Sequence, residues 1–241
     1  MGDEQNIALI TGANKGIGLE VARQLGKGGW IVLLGARDAE RGRAAAAKLN
    51  AEKLDARFVE LDVIEPRTIS LAASKIQEEF GRLDVLVNNA GIVDSHDGPP
   101  STASVEAVAR VMATNFFGTV AVTQAILPLI RKSAAGKIIN VSSGLGSLAR
   151  HGNPTWDARY DLLGYSSSKA ALNMFTVQLA FELKKEGITV NSVGPGYTAT
   201  DLNEHRGSQT VEQGAAEIVR LALLEHGPTG GYFETAGSIP W

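Results

Sequence analysis

Short β-branched runs alternate with longer helix-patterned segments almost from end to end of this chain, a rhythm that restricts it to parallel strands joined by returning helices. The runs fall at residues 7–10, 30–34, 57–61, 85–88, 137–141 and 189–193, with a last short one near Tyr232. Several are apolar at consecutive positions, as befits strands covered on both faces. Helical patterning occupies 17–27, 39–51, 66–80, 105–130, 165–185 and 211–224. Pro128 is expected to bend or end the fourth of these, because proline lacks a donor and clashes with the preceding turn. With 241 residues and 44% hydrophobic content, one large core is affordable and two are not. The expectation is therefore α/β: a doubly wound parallel sheet of about seven strands, helices on both faces, and a single domain over residues 1–241.

After the first run comes Thr11-Gly-Ala-Asn-Lys-Gly-Ile-Gly18. Gly12, Gly16 and Gly18 open the following helix, so backbone can pass close to a pyrophosphate and helix amides can face it. The spacing is T-G-x-x-x-G-x-G rather than the common G-x-G-x-x-G, and an ordinary glycine-rich turn is the bland alternative. Placed between a strand and a helix, it points to a Rossmann-type dinucleotide site. At the end of the second strand, where a site preferring NAD usually places an acid, this chain has Arg37. With Lys15 and Arg41 it makes a plausible cationic cup for a 2′-phosphate, which predicts NADPH over NADH. Asp38 pulls the other way, but reads better as the N-cap of the helix starting at Ala39.

Tyr165 and Lys169 lie four apart in a helical segment, so both project from one face, where an ammonium can favour the ionised form of a phenol. Such a pair also occurs on solvated helices. It gains meaning from Asn88-Asn-Ala-Gly91, Asn115 and Ser142-Ser143, each at or beyond a strand end or on a following helix. The loop-like stretches 94–100 and 146–161 follow strands on the edge where open parallel sheets bind ligands.

Other chemistries find little support. The formal net charge is −3 with scattered Lys and Arg, so no nucleic-acid partner is expected. No cysteine is present, which removes disulfides, thiolate ligands and thiol nucleophiles together. His96, His151, His205 and His226 lack metal-ligand spacing and are expected at solvent, with no metal. The serines lack a G-x-S-x-G elbow. The first six residues show no export pattern and no apolar run of about 18 residues appears, so a cytoplasmic protein without a membrane partner is expected.

Taken together, T-G-A-N-K-G-I-G, L-V-N-N-A-G, the Asn115 segment, N-V-S-S, Y-S-S-S-K and P-G-Y-T-A-T resemble the short-chain dehydrogenases/reductases, over nearly the whole chain and in order. Within that family, G-A-N-K-G-I-G-L-E and A-R-D-A-E-R-G-R-A-A are similar to NADPH-dependent carbonyl reductases. The resemblance implies reduction of a ketone or aldehyde to an alcohol. Tyr165 would be the general acid and Lys169 would lower its pKa and hold the nicotinamide ribose. Ser143 would hydrogen-bond the substrate oxygen, with Ser142 structural. Asn115 would link Lys169 to solvent through a water, where without the surrounding motif a buried, backbone-bonded amide would be the reading. It also implies cofactor contacts from Asn14 and Ile17 in the glycine turn, and from Asp62 and Val63 at the adenine. Asn89 and Gly91 would border the inner ribose, and Pro195, Gly196 and Thr200 the carboxamide. Asp62 could instead cap a helix, and Asn88 would tie strands together.

Ser143 and Tyr165 stand farther apart than in the family's compact pattern, and the extra residues supply His151, Trp156, Arg159 and Tyr160 near the site. Carbonyl reductases carry a longer insertion here, which leaves monomer and homo-oligomer both open. Trp156 and Tyr197 are read as an aromatic wall for an apolar carbonyl or alcohol substrate, or else as loop anchors. The same residues could serve alcohol oxidation. A non-catalytic dinucleotide sensor is disfavoured by the joint presence of Asn115, Ser143, Tyr165 and Lys169.

Overall fold

A computed structural model describes residues 5–156 and 161–241. Its strands are β1 (Ile7–Thr11), β2 (Ile31–Ala36), β3 (Ala56–Glu60), β4 (Val85–Asn88), β5 (Lys137–Val141), β6 (Thr189–Val193), β7 (Tyr232–Glu234) and β8 (Gly237–Ser238). They form one sheet in the order β3-β2-β1-β4-β5-β6-β7-β8. All neighbours are parallel except β7 and β8, which pair antiparallel. The chain winds outward from β1 to β3, then crosses back to β4 and winds the other way. That reversal opens a crevice beyond the carboxyl ends of β1 and β4. The eight-stranded Rossmann-like sheet exceeds the expected seven by β8, a two-residue strand too short to carry any periodicity.

Alternation along the strands explains the two-sided core. Leu9, Leu33, Leu86, Ile138 and Val190 face α3 (Pro66–Phe80), α5 (Thr119–Ile130) and α7 (Leu163–Leu183). Ile10, Leu34, Val87, Ile139 and Val193 face α1 (Gly16–Lys27), α2 (Ala39–Ala51) and α8 (Val211–Leu223). Because both faces are covered, the strands need no polar alternation.

Three helical expectations change. The segment 105–130 is α4 (Val105–Met112), a π turn over Ala113–Gly118, and α5, in unbroken succession. Pro128 sits in the last turn of α5, which ends two residues later at Ile130. The stretch 146–161 is not all loop, since α6 (Leu148–Gly152) forms there with the Ser147 hydroxyl accepting from Arg150 N at 3.1 Å. Finally, Val105–Ile130 contains a window of mean hydropathy 1.4, long and apolar enough to cross a membrane by length and composition, where no such run was expected. In the fold 44% of that window is buried, with Val111, Val122 and Ile126 in the core.

A polar rung crosses the core beneath the crevice. Asn88, Asn140 and Ser192 are in register on adjacent strands. Asn88 Nδ2 donates to Asn140 Oδ1 and to Thr123 Oγ1, both at 2.9 Å. Asn140 Nδ2 donates to Thr176 Oγ1, which lies 2.8 Å from Ser192 Oγ. Asn88 thus ties strands together through its Nδ2, and the rung locks the sheet to α5 and α7.

Candidate active site

The crevice is a cleft of about 750 Å³ lined by the glycine turn, the end of β2 and the segments after β3, β4 and β6. Gly12 and Gly16 have φ of +64° and +58°, backbone that side chains resist. A Cβ on Gly18 would lie 2.5 Å from Asn89 Nδ2, which donates to the carbonyls of Thr11 at 2.9 Å and Gly12 at 3.2 Å. Asn89 therefore braces the turn as well as lining the cleft. No side chain caps α1, so its first amides are open towards the crevice. Asn14 and Ile17 line the same space.

At its far end the cleft is bordered by Arg37, Asp62 and Val63. Arg37 is exposed and has no ion-pair partner among the described residues. Asp38 caps α2, its carboxylate accepting from Arg41 N at 3.0 Å, as the sequence suggested. Arg41 differs from expectation: its guanidinium turns to Asp38 at 3.4 Å and is not part of the cleft lining. Lys15 is paired with Asp201. Asp62 does not cap α3, a role that Glu65 fills; its Oδ1 accepts from Ile64 N at 3.2 Å, and the residue lines the cleft.

Four residues converge where this cleft meets a second cavity. Lys169 is only 4% exposed, its Nζ 5.6 Å from the centre of the Tyr165 ring and donating to the Val141 carbonyl at 2.8 Å. Burial, which disfavours the ammonium, lowers its pKa to about 8. A Cβ on Gly91 would lie 3.6 Å from that Nζ and 3.4 Å from Asn115 Oδ1, which places Gly91 against both groups. Burial also raises the Tyr165 phenol, and hydrogen bonding with the Ser143 side chain pulls it partly back. The net direction is thus opposite to the depression expected from Lys169, because desolvation of the phenolate outweighs the other influences.

Asn115 is 1% exposed. Its Oδ1 accepts from Ile92 N at 2.8 Å, and its Nδ2 donates to Ile92 O and Ser168 Oγ, both at 3.0 Å. Both amide hydrogens are consequently engaged by protein. The Ser142 hydroxyl donates to Asn173 Oδ1 at 2.7 Å, well inside the fold.

The second cavity, of about 730 Å³, shares Tyr165, Pro195 and Thr200 with the first and includes Ser143, Gly196, Trp156 and Tyr197. Trp156 packs edge-on against His151, ring centres 4.9 Å apart, and His151 Nε2 lies 3.0 Å from the Leu145 carbonyl. His151 is thus half-buried rather than at solvent, while His96, His205 and His226 are exposed. Arg159 and Tyr160 lie outside the described residues. Sequence reasoning missed Arg150 and Glu234, a bidentate pair at 2.7 and 2.9 Å on the wall of this cavity. Nothing local links residues so distant in the chain.

The model of the short chain dehydrogenase family matches residues 6–211. Short-chain dehydrogenase/reductase 1 of Saponaria officinalis is 34% identical over 98% of this chain and 96% of its own length. Carbonyl reductase [NADPH] 3 of Rattus norvegicus is 37% identical over 90% of this chain and 91% of its own. The crystal structure of NADPH-bound carbonyl reductase from chicken fatty liver superposes with a TM-score of 0.87 at 27% identity, covering 99% of this chain and 100% of that one. The chain belongs to the short-chain dehydrogenases/reductases and is similar to the carbonyl reductases among them. It is an oxidoreductase of the kind that works with a nicotinamide dinucleotide on small molecules.

Proposed function

We propose that this protein is an NADPH-dependent carbonyl reductase that converts an apolar ketone or aldehyde to the alcohol, with Tyr165 as general acid. The observation that carries this reading is the Tyr165 phenol standing at the junction of a nucleotide-sized cleft and a second cavity that also includes Ser143. A carbonyl being reduced needs a proton donor at its oxygen, and a phenol, protonated at neutral pH, can serve as one. Alcohol oxidation would use the same group in reverse, with the phenolate as base.

The glycine turn, the uncapped start of α1 and the unpaired Arg37 fit a phosphorylated dinucleotide. When bound, that cofactor supplies hydride to the carbonyl carbon. The chain's part is to hold the substrate oxygen between the Ser143 hydroxyl and the Tyr165 phenol, so that developing alkoxide charge meets a donor already in place. Lys169, with a pKa of about 8, is largely cationic at neutral pH and opposes full loss of charge stabilisation as the proton leaves Tyr165. Asn115 acts as a brace: it fixes the Ile92 backbone on one side and, through Ser168, the helix bearing Tyr165 on the other. Trp156 and Tyr197 form an aromatic part of the substrate wall, beside Leu145 and Leu162.

The test is NADPH absorbance followed across a panel of aldehydes, cyclic ketones, quinones and keto esters. Tyr165→Phe should reduce kcat by about 10²–10⁴-fold, the usual contribution of a positioned acid, with nucleotide binding retained. Substantial turnover in that variant, or NADPH oxidation with no member of the panel, would overturn the reading.

A further inference from the structure

We infer that Asp97 is a positioning residue for catalysis: from the loop between β4 and α4, its carboxylate sets where α7 begins and hence where Tyr165 stands. The inference rests on the proposed role of Tyr165 as acid. Helix α7 starts with no side-chain cap of its own, because Leu162 occupies the capping position. Its leading amides would be orphaned. Instead, three consecutive ones are taken up by two residues of a distant loop. Leu163 N donates to Gly98 O at 3.0 Å, Gly164 N to Asp97 Oδ1 at 2.8 Å, and Tyr165 N to Asp97 Oδ2 at 2.9 Å. The first hydrogen bond of α7 to its own chain begins only at Ser166 N, which reaches Leu162 O at 2.9 Å. The backbone of Tyr165 is therefore held on its amide side by Asp97 alone.

The clip itself is rigidly mounted. Asp97 N donates to Asp94 O at 3.0 Å, and Asp97 Oδ1 also accepts from Gly98 N at 2.9 Å. Asp94 in turn accepts from Arg110 Nε of α4 at 2.8 Å and from His96 N at 2.9 Å. Beside that carboxylate a Cβ on Gly164 would lie 3.0 Å from Val108 Cα, so α4 presses directly on the start of α7. With one oxygen on each of two successive amides, the carboxylate fixes both the first turn and its rotation. On the carbonyl side of Tyr165, the Ser168 hydroxyl donates to it at 2.7 Å and itself accepts from Asn115. Tyr165 is thus clamped from two directions, and the Asp97 half of the clamp lies outside the cleft that holds the nucleotide.

A reacting group displaced by roughly 1 Å commonly loses about 10²-fold in rate. Asp97→Ala, leaving both amides without their acceptor, should therefore lower kcat by about 10–100-fold while the NADPH dissociation constant, read by fluorescence, stays within about twofold. Asp97→Asn keeps one acceptor oxygen and should recover part of that loss, giving kcat in the order wild type, Asp97→Asn, Asp97→Ala. Tyr165→Phe is measured alongside. If it retains turnover, the general-acid reading fails. If it is inactive while both Asp97 variants keep wild-type kcat, the positioning inference alone fails. It also fails if both variants lose kcat and NADPH binding in the same proportion, since that marks general unfolding. Loss of kcat with nucleotide binding kept, partly rescued by Asp97→Asn, supports it.

Discussion

Replacing Lys169 by Met should make the nucleotide-free protein more stable at pH 7 while abolishing turnover. The drop of the Lys169 pKa from 10.5 to about 8 has one resolved cause, burial. At about 1.4 kcal/mol per pKa unit, the folded state at neutral pH carries about 3 kcal/mol of disfavoured ammonium. Methionine keeps the length and much of the volume without the charge. It forfeits the bond to the Val141 carbonyl, a loss of about 1–2 kcal/mol for an acceptor left unpaired. The net gain at pH 7 is about 1–2 kcal/mol. Its pH dependence has a definite sign. Between pH 8 and 10.5 the unfolded chain binds the lysine proton and the folded chain releases it, so wild-type stability rises with pH across that window. Below about pH 8 the penalty is constant, and above 10.5 it is gone. The advantage of Lys169→Met should accordingly shrink through this range and turn into a deficit of about 1 kcal/mol at its alkaline end. Urea denaturation at pH 7 and near pH 10, with unchanged m-values, measures it. A variant less stable at pH 7, or a difference flat with pH, would refute the idea that burial of a charge dominates at this lysine. The outcome expected is a functional group kept at the expense of stability.

Gly18→Ala should destabilise the protein by about 2–4 kcal/mol, since its Cβ displaces the Asn89 amide from two carbonyls and overpacks the turn. Thermal unfolding with and without NADPH reads this, and unchanged melting and affinity would count against the brace. Arg37→Asp should raise the KM for NADPH by at least about tenfold, the worth of a charge-assisted bond, and spare NADH. Equal effects on both cofactors would show that Arg37 does not meet a 2′-phosphate. Trp156→Ala should reorder substrate preference with NADPH binding intact, whereas general loss of folding would assign Trp156 to anchoring its loop against His151.

Much of this fold can be read along the chain because it arises from local regularities. The runs at 85–88, 137–141 and 189–193 coincide with β4, β5 and β6, since short β-branched runs set between helical patterns are a local signal. The boundaries of α2 and α3 are equally legible, each helped by a local cap, Asp38 and Glu65. By contrast, the π turn over Ala113–Gly118 leaves no compositional trace within a long helical pattern. Within it, the carbonyl of Asn115 accepts from the Thr119 hydroxyl at 3.0 Å, and the amide of Asn115 bonds to Ile92 on another segment.

The inventory of the candidate site, from the glycines to Ser143, Tyr165 and Lys169, stands in the linear order of residues because spacing and residue type are properties of short segments. Whether the phenol keeps its proton, how far the lysine is pushed towards neutrality, that Arg41 turns to Asp38, and that Asp97 holds the start of the helix bearing Tyr165 are settled only on folding. Desolvation and hydrogen bonding across the fold depend on which remote segments come to surround a group, and no local pattern encodes that enclosure.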